Sequence, residues 1–202
     1  MGKAKALKLI KQSGGMIRTA EALRAGVHPR DLYALHESGD LERLSRGLFR
    51  VSSMKPLPYP DLATVALRVP RCVICLVSAL AFHGMTTQIP HTVSIALPKG
   101  ATTPMLEDPP LTIHRFSPPI FEAGIETHPL NGVSLRVYSR EKTLADCFRY
   151  RQRIGMDVVL EALKAYREAG RIAVPTLLLY ARTCRVEKAM RPETKLVYLE
   201  TP

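Results

Sequence analysis

The chain has 202 residues, of which 46 % are hydrophobic and 23 % charged, so it is long enough for one or two domains with buried cores and is not a disordered chain. Its 29 Lys and Arg residues outnumber its 18 Asp and Glu residues and give a net charge of +11. An excess of this size points to nucleic acid or another polyanion as a partner, and it carries no information about the fold.

The chain is expected to be a cytoplasmic protein without disulfides. Residues 1–11 are basic but lack the apolar core of a signal peptide. The most apolar stretch, residues 72–82, is shorter than the roughly 20 residues that a membrane helix needs. Four cysteines at irregular spacing do not form a disulfide framework in a chain of this length.

A segment rich in proline divides the chain. Residues 51–60 contain three prolines and two serines, a composition that continues neither a helix nor a central strand. Residues 1–52 carry ten basic and five acidic side chains, so the positive charge is densest there. We predict a first domain over residues 1–52, a linker over 53–60 and a second domain over 61–202.

Three short helices are predicted in the first domain. The first runs from Ala4 to Gln12, and the second follows Thr19 as its N-cap with Leu23 facing inward. The third begins at Pro29 after the cap His28 and runs to about residue 38, since proline is favoured in the first helical turn.

A change of period after Gly39 predicts a small β-hairpin over residues 41–51. Arg46 and Gly47 supply its turn, and Arg43, Arg46 and Arg50 are expected to project from it. Two helices joined by a turn that contains glycine, followed by such a hairpin, are typical of a winged helix-turn-helix. In that fold the third helix is the one that enters the major groove of DNA.

The predicted third helix and hairpin supply the candidate DNA contacts. Arg30 can reach a guanine edge or a phosphate, and Tyr33 and His28 can bond phosphate. Thr19, at a helix terminus, suits a phosphate oxygen. A solvated face or a face that contacts protein is the alternative. The predicted DNA-binding set is Arg18, Thr19, His28, Arg30, Tyr33, Arg43, Ser45, Arg46 and Arg50.

The second domain is predicted to be α+β, with a small antiparallel sheet flanked by helices. Helices are expected over 61–69, over 72–84, after the cap Ser139 to about Arg153, after the cap Asp157, and from Pro175. Strands are expected over 92–97, 111–116, 125–130 and 133–138, and Asn131-Gly132 between the last two is a strong hairpin signal.

No constellation in the second domain predicts catalysis, a metal site or a cofactor, so no enzyme is expected. Cys72 and Cys75 have the spacing of metal ligands, but they stand in an apolar run without a second pair and are expected to be core residues. Asp146 and Arg149 are expected to pair on a helix surface. The histidines of this part are scattered along the chain, at positions His83, His91, His114 and His128.

A basic stripe is predicted in the last part of the sequence, over residues 182–191. Arg182, Arg185, Lys188 and Arg191 recur every three residues, which on one continuous helix gives a drifting basic face. Such a face is either solvated or contacts phosphate or a partner.

Several segments together resemble the AbiEi-type antitoxins, the regulators of type IV toxin–antitoxin operons linked to abortive phage infection. The resemblance is carried by residues 26–32 (GVHPRDL), 39–50 (GDLERLSRGLFR), 74–84 (ICLVSALAFHG), 88–90 (QIP), 144–151 (LADCFRYR) and 184–186 (CRV). The tail departs from the family pattern, because residues 193–195 intervene before Tyr198-Leu199-Glu200.

The resemblance implies an N-terminal domain that binds repeats in its own promoter, as double-stranded DNA, and represses the operon. It implies that the C-terminal domain antagonises a nucleotidyltransferase toxin without a stable complex. The helix over 28–38 and the hairpin over 43–50 would then be the DNA-binding elements. The alternatives are a solitary regulator without a toxin, an enzyme that processes nucleic acid, and a module that binds an acidic protein.

Overall fold

The computed structural model describes residues 2–54, 58–130, 133–170 and 173–192, and the chain forms two compact units. Unit 1 comprises residues 1–68 and 129–135, and unit 2 comprises residues 69–128 and 136–202. Both units combine helices with strands, which confirms the predicted α+β class. Within the described ranges no helix has the length and apolar character needed to cross a membrane.

The described residues of unit 1 form four helices and a three-stranded antiparallel sheet. In chain order the elements are α1 (Lys3–Gln12), β1 (Met16–Arg18), α2 (Thr19–Arg24), α3 (Pro29–Glu37), β2 (Leu41–Ser45), β3 (Leu48–Val51) and α4 (Pro60–Arg68). The strand order is β1-β3-β2, so β3 lies in the centre. The predicted hairpin is confirmed as β2 and β3, and the predicted helices as α1, α2 and α3.

The core of unit 1 lies where the first three helices meet the sheet. Ile10 of α1, Leu32 and Leu35 of α3 and Phe49 of β3 are almost completely buried in one cluster. The inward positions predicted for α3 are therefore confirmed, but Leu23 of α2 is 46 % exposed rather than buried. Because α2 is a helix of six residues, Ala22 suffices to hold it against the core.

The helix α4 belongs to unit 1 in the structure, whereas the sequence division would assign it to the second domain. Ala63 of α4 is buried together with Val133, and Leu44 of β2 packs against them. The apolar face of α4, which follows the proline-rich segment in the sequence, therefore packs within unit 1.

Unit 2 is built on a five-stranded sheet with order β6-β5-β4-β8-β7. Its elements are β4 (Val73–Ile74), α5 (Leu76–Phe82), β5 (Val93–Pro98), β6 (Leu111–Phe116), α6 (Pro118–Glu122), β7 (Ile125–Leu130), β8 (Val133–Tyr138), α7 (Arg140–Arg149), α8 (Arg151–Ile154), α9 (Met156–Glu168) and α10 (Val174–Thr183). Residues 187–192 are also helical. The last two residues of β7 and the first three of β8 belong to unit 1.

This sheet is mixed rather than antiparallel, which corrects the prediction for the second domain. The pair β4–β5 is antiparallel, but β4–β8 and β5–β6 are parallel. Parallel neighbours need long crossover connections, and residues 99–110 provide one between β5 and β6. Asn131-Gly132 and residues 193–200 of the tail lie outside the described residues.

Two predicted boundaries in unit 2 are wrong. The buried helix expected over 72–84 is the strand β4 followed by α5, because a short apolar run has the same pattern in both structures. Likewise α9 begins at Met156 after Gly155, so Asp157 lies in its first turn and is not its cap. Ser139 does cap α7, and its hydroxyl accepts a hydrogen bond from the Lys142 amide at 3.2 Å.

The core of unit 2 contains a buried ion pair that replaces the predicted surface pair of Asp146 and Arg149. Lys142 Nζ lies 2.5 Å from Asp146 Oδ2, and both side chains are fully buried. Lys142 Nζ also lies 4.1 Å from the ring centre of Tyr138, and Cys184 Sγ donates to Asp146 Oδ1 at 3.2 Å. Asp146 is therefore part of the core, and Arg149 donates to the Cys184 carbonyl oxygen instead.

Candidate nucleic-acid interface

The N-terminal end of α3 is fixed by His28. Its Nδ1 accepts a hydrogen bond from the Arg30 amide at 3.2 Å, which confirms His28 as the cap and Pro29 as the first helical residue. Leu32 and Leu35 hold the opposite side of the helix in the core. The side chains of His28 and Arg30 are exposed at this end of α3.

Tyr33 lies one turn further along α3 and is half exposed. Its ring packs edge-to-face on the buried Phe49, with 6.2 Å between ring centres, and 51 % of the residue remains exposed. His36 packs on the same Phe49 ring at 5.7 Å, and its Nδ1 lies 3.0 Å from the Leu41 carbonyl oxygen. The exposed face of α3 is therefore rigidly attached to the hairpin β2–β3.

The turn of the hairpin is anchored by neighbouring elements. Gly47 occupies it with φ +74°, the left-handed region that glycine adopts without strain. The Thr19 amide and hydroxyl both donate to the Gly47 carbonyl oxygen, at 2.9 and 3.4 Å. Arg68 Nη1 donates to the Arg46 carbonyl oxygen at 3.0 Å. The backbone of the turn is thus held in place while the Arg46 side chain remains exposed.

Arg43 and Ser45 flank a bulge at Leu44 in β2. The Arg43 side chain is exposed, and its Nε donates to the Ser45 carbonyl oxygen at 3.4 Å. Ser45 itself is buried, and its hydroxyl has no hydrogen-bond partner among the described residues. Of these two predicted contacts, only Arg43 is presented to solvent.

Arg50 does not project from the hairpin, contrary to the prediction. It is 6 % exposed, its Nη1 pairs with the Glu42 carboxylate, and its Nη2 donates to the Met54 carbonyl oxygen at 3.0 Å. The neighbouring residues Glu42 and Arg50 face each other across β2 and β3. Arg50 therefore stabilises the hairpin and carries no charge available to a ligand.

The start of α2 also differs from the prediction. Arg18 rather than Thr19 is the N-cap, and the Arg18 amide donates to the Glu21 carboxylate at 3.3 Å. Arg18 is half buried, and its Nε has no partner within the described part of the chain. The amide and hydroxyl of Thr19 both donate to the Gly47 carbonyl oxygen, so Thr19 has a structural role.

The basic stripe of residues 182–191 is not continuous, which corrects the expectation of one helical face. The helix α10 ends at Thr183, and Arg185 has φ +60° before a second helical segment begins at 187. Arg182 and Arg191 both bind the Glu187 carboxylate, with N–O distances of 3.0 and 2.7 Å. Arg185 and Lys188 remain exposed.

The cysteines and histidines of unit 2 do not form a metal centre among the described residues. Cys72 and Cys75 are buried, and burial raises the pKa of the Cys72 thiol to about 12 and that of Cys75 well above its usual range. His83 and His128 come within 6.2 Å between ring centres, a proximity that their distance along the chain did not indicate. The Tyr138 carbonyl oxygen accepts a hydrogen bond from His83 Nε2 at 2.7 Å.

The structure therefore presents a smaller basic surface than the sequence predicted. The exposed members are His28, Arg30, Tyr33, Arg43 and Arg46. Arg68 is not among the predicted residues; it holds the turn from 22 residues away, and no local pattern indicates this role. We call the five exposed residues the α3–hairpin surface.

Comparisons with known proteins concern both the family and the fold. The crystal structure of the RV2827C protein from Mycobacterium tuberculosis is similar to this chain with a TM-score of 0.55 and 14 % identity, over 94 % of this chain and 78 % of that one. At this identity the likeness is one of fold. No curated protein matches the chain.

The family comparison concerns the N-terminal part of the chain. A family model described as "Transcriptional regulator, AbiEi antitoxin" matches residues 5–52, which include α2, α3, the hairpin and all of α1 except its first two residues. The description is that of a regulator and antitoxin family rather than of an enzyme family. The resemblance found in the sequence is confirmed over this range, and residues 5–52 carry the sequence pattern of the AbiEi antitoxin family of transcriptional regulators.

Proposed function

We propose that residues 2–51 are a winged helix-turn-helix that binds specific sites in duplex DNA and represses transcription. The order helix, strand, helix, helix, strand, strand supports this interpretation, with α3 as the recognition helix and β2–β3 as the wing. The observation that carries the proposal is the α3–hairpin surface, where exposed cationic and aromatic side chains stand on elements fixed by buried contacts.

The members of this surface have different tasks in the proposed complex. Arg30, in the first turn of α3, reaches the edge of a guanine in the major groove, where a guanidinium can bind O6 and N7 together. Arg43 and Arg46 bind phosphates beside the groove, which fixes the orientation of the protein without reading sequence. Tyr33 and His28 donate to phosphate oxygens from either side of Arg30.

The test compares the upstream DNA of the protein's own gene with a scrambled duplex, by fluorescence anisotropy at several salt concentrations. We expect specific binding that weakens steeply with salt, because each neutralised phosphate releases counterions. Arg30→Ala should lose about 1–3 kcal/mol of discrimination between the two duplexes. Arg46→Ala should weaken both complexes alike and lower the salt slope by about 1.

Lys164→Ala is the matched control for these variants, because it removes one exposed positive charge from unit 2. It should leave affinity, discrimination and salt slope as in the wild type. Equal binding of both duplexes by the wild-type protein would contradict the proposed sequence-specific function.

We further propose that the chain is the antitoxin of a type IV pair and antagonises a nucleotidyltransferase toxin. The family match over residues 5–52 supports this role. Co-expression with the toxin encoded beside it should restore growth, without a stable complex in a pull-down. Arg30→Ala should abolish repression of a promoter reporter and still restore growth, since unit 2 is unchanged.

The outcome separates the antitoxin from a solitary regulator. Repression without rescue of growth would contradict the antitoxin role and leave the DNA-binding function in place. Turnover of DNA, RNA or nucleotides by the pure protein, abolished by a single acidic substitution, would instead establish an enzyme.

A further inference from the structure

A second group of arginines lies on unit 2, outside the α3–hairpin surface. Arg149, Arg151 and Arg153 alternate along residues 149–153, where α7 ends and α8 begins. Arg149 Nη1 donates to the carbonyl oxygen of Cys184 at 3.1 Å, at the end of α10. Arg185 follows Cys184 in the chain, so its backbone lies next to the Arg149 guanidinium.

Arg149, Arg151 and Arg153 are held by carbonyl groups and a ring instead of by acidic side chains. Arg151 Nη1 donates to the Phe148 carbonyl oxygen at 2.9 Å, and the Arg153 guanidinium lies 5.8 Å from the ring centre of Tyr150. None of the carboxylates that the structure describes bonds to Arg149, Arg151, Arg153 or Arg185. The guanidinium groups of Arg149, Arg151 and Arg153 are therefore oriented without a direct bond to a carboxylate.

The acid closest to Arg185 in the chain is already occupied. Glu187 accepts hydrogen bonds from Arg182 and Arg191, and these bonds, that of Arg191 foremost, lower the pKa of its carboxyl. Asp146 is enclosed in the core with Lys142. Both carboxylates therefore already have cationic partners other than Arg185.

Arg185 stands in a backbone position that favours glycine. Its φ is +60°, its amide donates to the Arg182 carbonyl oxygen at 2.9 Å, and the Val186 amide donates to that of Ala181 at 2.8 Å. This is the Schellman arrangement at a helix end, where glycine usually takes the left-handed position. Arginine pays a conformational cost there, and its side chain is exposed. Such a residue is a candidate for a functional role rather than a structural one.

An open depression of about 270 Å³ is lined by Arg149, Tyr150, Gln152 and Arg153. Guanidinium groups bind phosphate through two parallel hydrogen bonds, and a pre-oriented guanidinium loses little entropy when it does so. The Gln152 amide and the Tyr150 hydroxyl offer further donors. The lining thus offers phosphate-binding chemistry with no opposing carboxylate.

We propose that Arg149, Arg153 and Arg185 form a site for the phosphate groups of a nucleotide. The nucleotide is either a free nucleoside triphosphate or the phosphorylated end of an RNA strand, and both present the same terminal phosphate chemistry. This inference goes beyond the proposed function and is independent of it, since every residue of the site belongs to unit 2.

The test titrates the full chain with ATP and with a short RNA that carries a terminal phosphate, by calorimetry. At least one probe should bind, and Arg153→Ala should weaken it about tenfold, as for one charge-assisted contact. The tighter of the two probes identifies the source of the phosphate. Lys164→Ala, the exposed control on α9, should bind like the wild type.

Arg185→Gly separates binding from folding. It should raise the melting temperature, because glycine relieves the positive φ, and still weaken the probe about tenfold. It should also bind the upstream duplex as the wild type does. Binding of neither probe, or equal binding by the wild type, Arg153→Ala and Arg185→Gly, would overturn the site and leave the DNA-binding proposal untouched.

Discussion

Three arginines of one hairpin have different surroundings, and the surroundings decide what each can do. Arg46 is exposed on the turn, Arg43 is exposed at a bulge, and Arg50 is buried against Glu42 and Met54. The sequence shows a basic residue every three or four positions, and nothing in that spacing distinguishes the three. The position of Glu42 across the ladder from Arg50 makes the difference.

The buried ion pair of Lys142 and Asp146 leads to a prediction about stability. Burial raises the pKa of the Asp146 carboxyl, and the Lys142 ammonium opposes this rise. Lys142→Met removes the ammonium, so the buried carboxyl loses its cation and its pKa rises further. We expect a loss of about 3–5 kcal/mol in the free energy of unfolding. Urea denaturation followed by circular dichroism measures it.

The double variant Lys142→Met, Asp146→Leu is the matched comparison. It removes both charges and fills the space with apolar groups, so it should recover most of the lost stability. A double variant that is destabilised by the sum of the two single changes would contradict this description of the pair.

The start of α7, the helix that follows β8, depends on a close approach between a backbone segment and a side chain. Gly124 has φ +68°, and a Cβ there would lie 2.6 Å from Lys142 Cβ on α7. Its carbonyl oxygen accepts the Ser139 amide at 2.7 Å. The residue before β7 and the first turn of α7 are therefore fitted to each other through a glycine.

A matched pair of substitutions measures this fit. Gly170 has nearly the same φ, +70°, but a Cβ there meets nothing within 4 Å. Gly170→Ala should cost about 1–2 kcal/mol from backbone strain alone, and Gly124→Ala should cost about 1–3 kcal/mol more from overpacking. Equal losses in thermal or urea unfolding would show that α7 yields at Lys142 without cost.

A half-buried histidine, His83, makes the stability of the whole molecule depend on pH. Burial, the largest cause, lowers the pKa of His83 below its ordinary 6.5. Between that lowered pKa and 6.5 the unfolded chain binds a proton that the folded chain does not, so stability increases with pH across this window. The contribution of His83 is complete above pH 6.5 and is lost as the pH falls through the folded-state pKa.

We therefore expect the melting temperature to fall on acidification from neutral pH into this window, and to fall less in His83→Gln. The glutamine amide keeps a donor for the Tyr138 carbonyl oxygen but does not titrate. His91→Gln, which changes an exposed histidine, should retain the full drop of the wild type. The same drop in all three proteins would rule out His83 as its source.

Local signals in the sequence predicted a large part of this molecule. His28, Pro29 and Ser139 marked the starts of α3 and α7, and Gly47 marked the turn of the hairpin, because caps and turns depend on residues close in the chain. The strands β6, β7 and β8 were predicted with their observed bounds. The α+β class follows from the same periodicities.

What the sequence did not predict depends on distant partners. The strand β4 is fixed by β5 and β8 on its two sides, and Arg68 reaches the hairpin turn from another helix. The burial of Asp146 requires Lys142, Tyr138 and Cys184 to converge from three elements. In the candidate interface the same limit separates Arg50, whose partner lies across a ladder, from Arg30 and Arg46.

The Gly47 carbonyl oxygen, which accepts both the amide and the hydroxyl of Thr19, has a kinetic consequence for the proposed DNA complex. The hairpin turn cannot swing away from the start of α2, and Phe49 attaches the same hairpin to α3 through two rings. The two contact elements approach the duplex as one rigid body, so little ordering is left to be done on association. The association rate should then be governed by charge steering rather than by loop closure, and decrease with ionic strength.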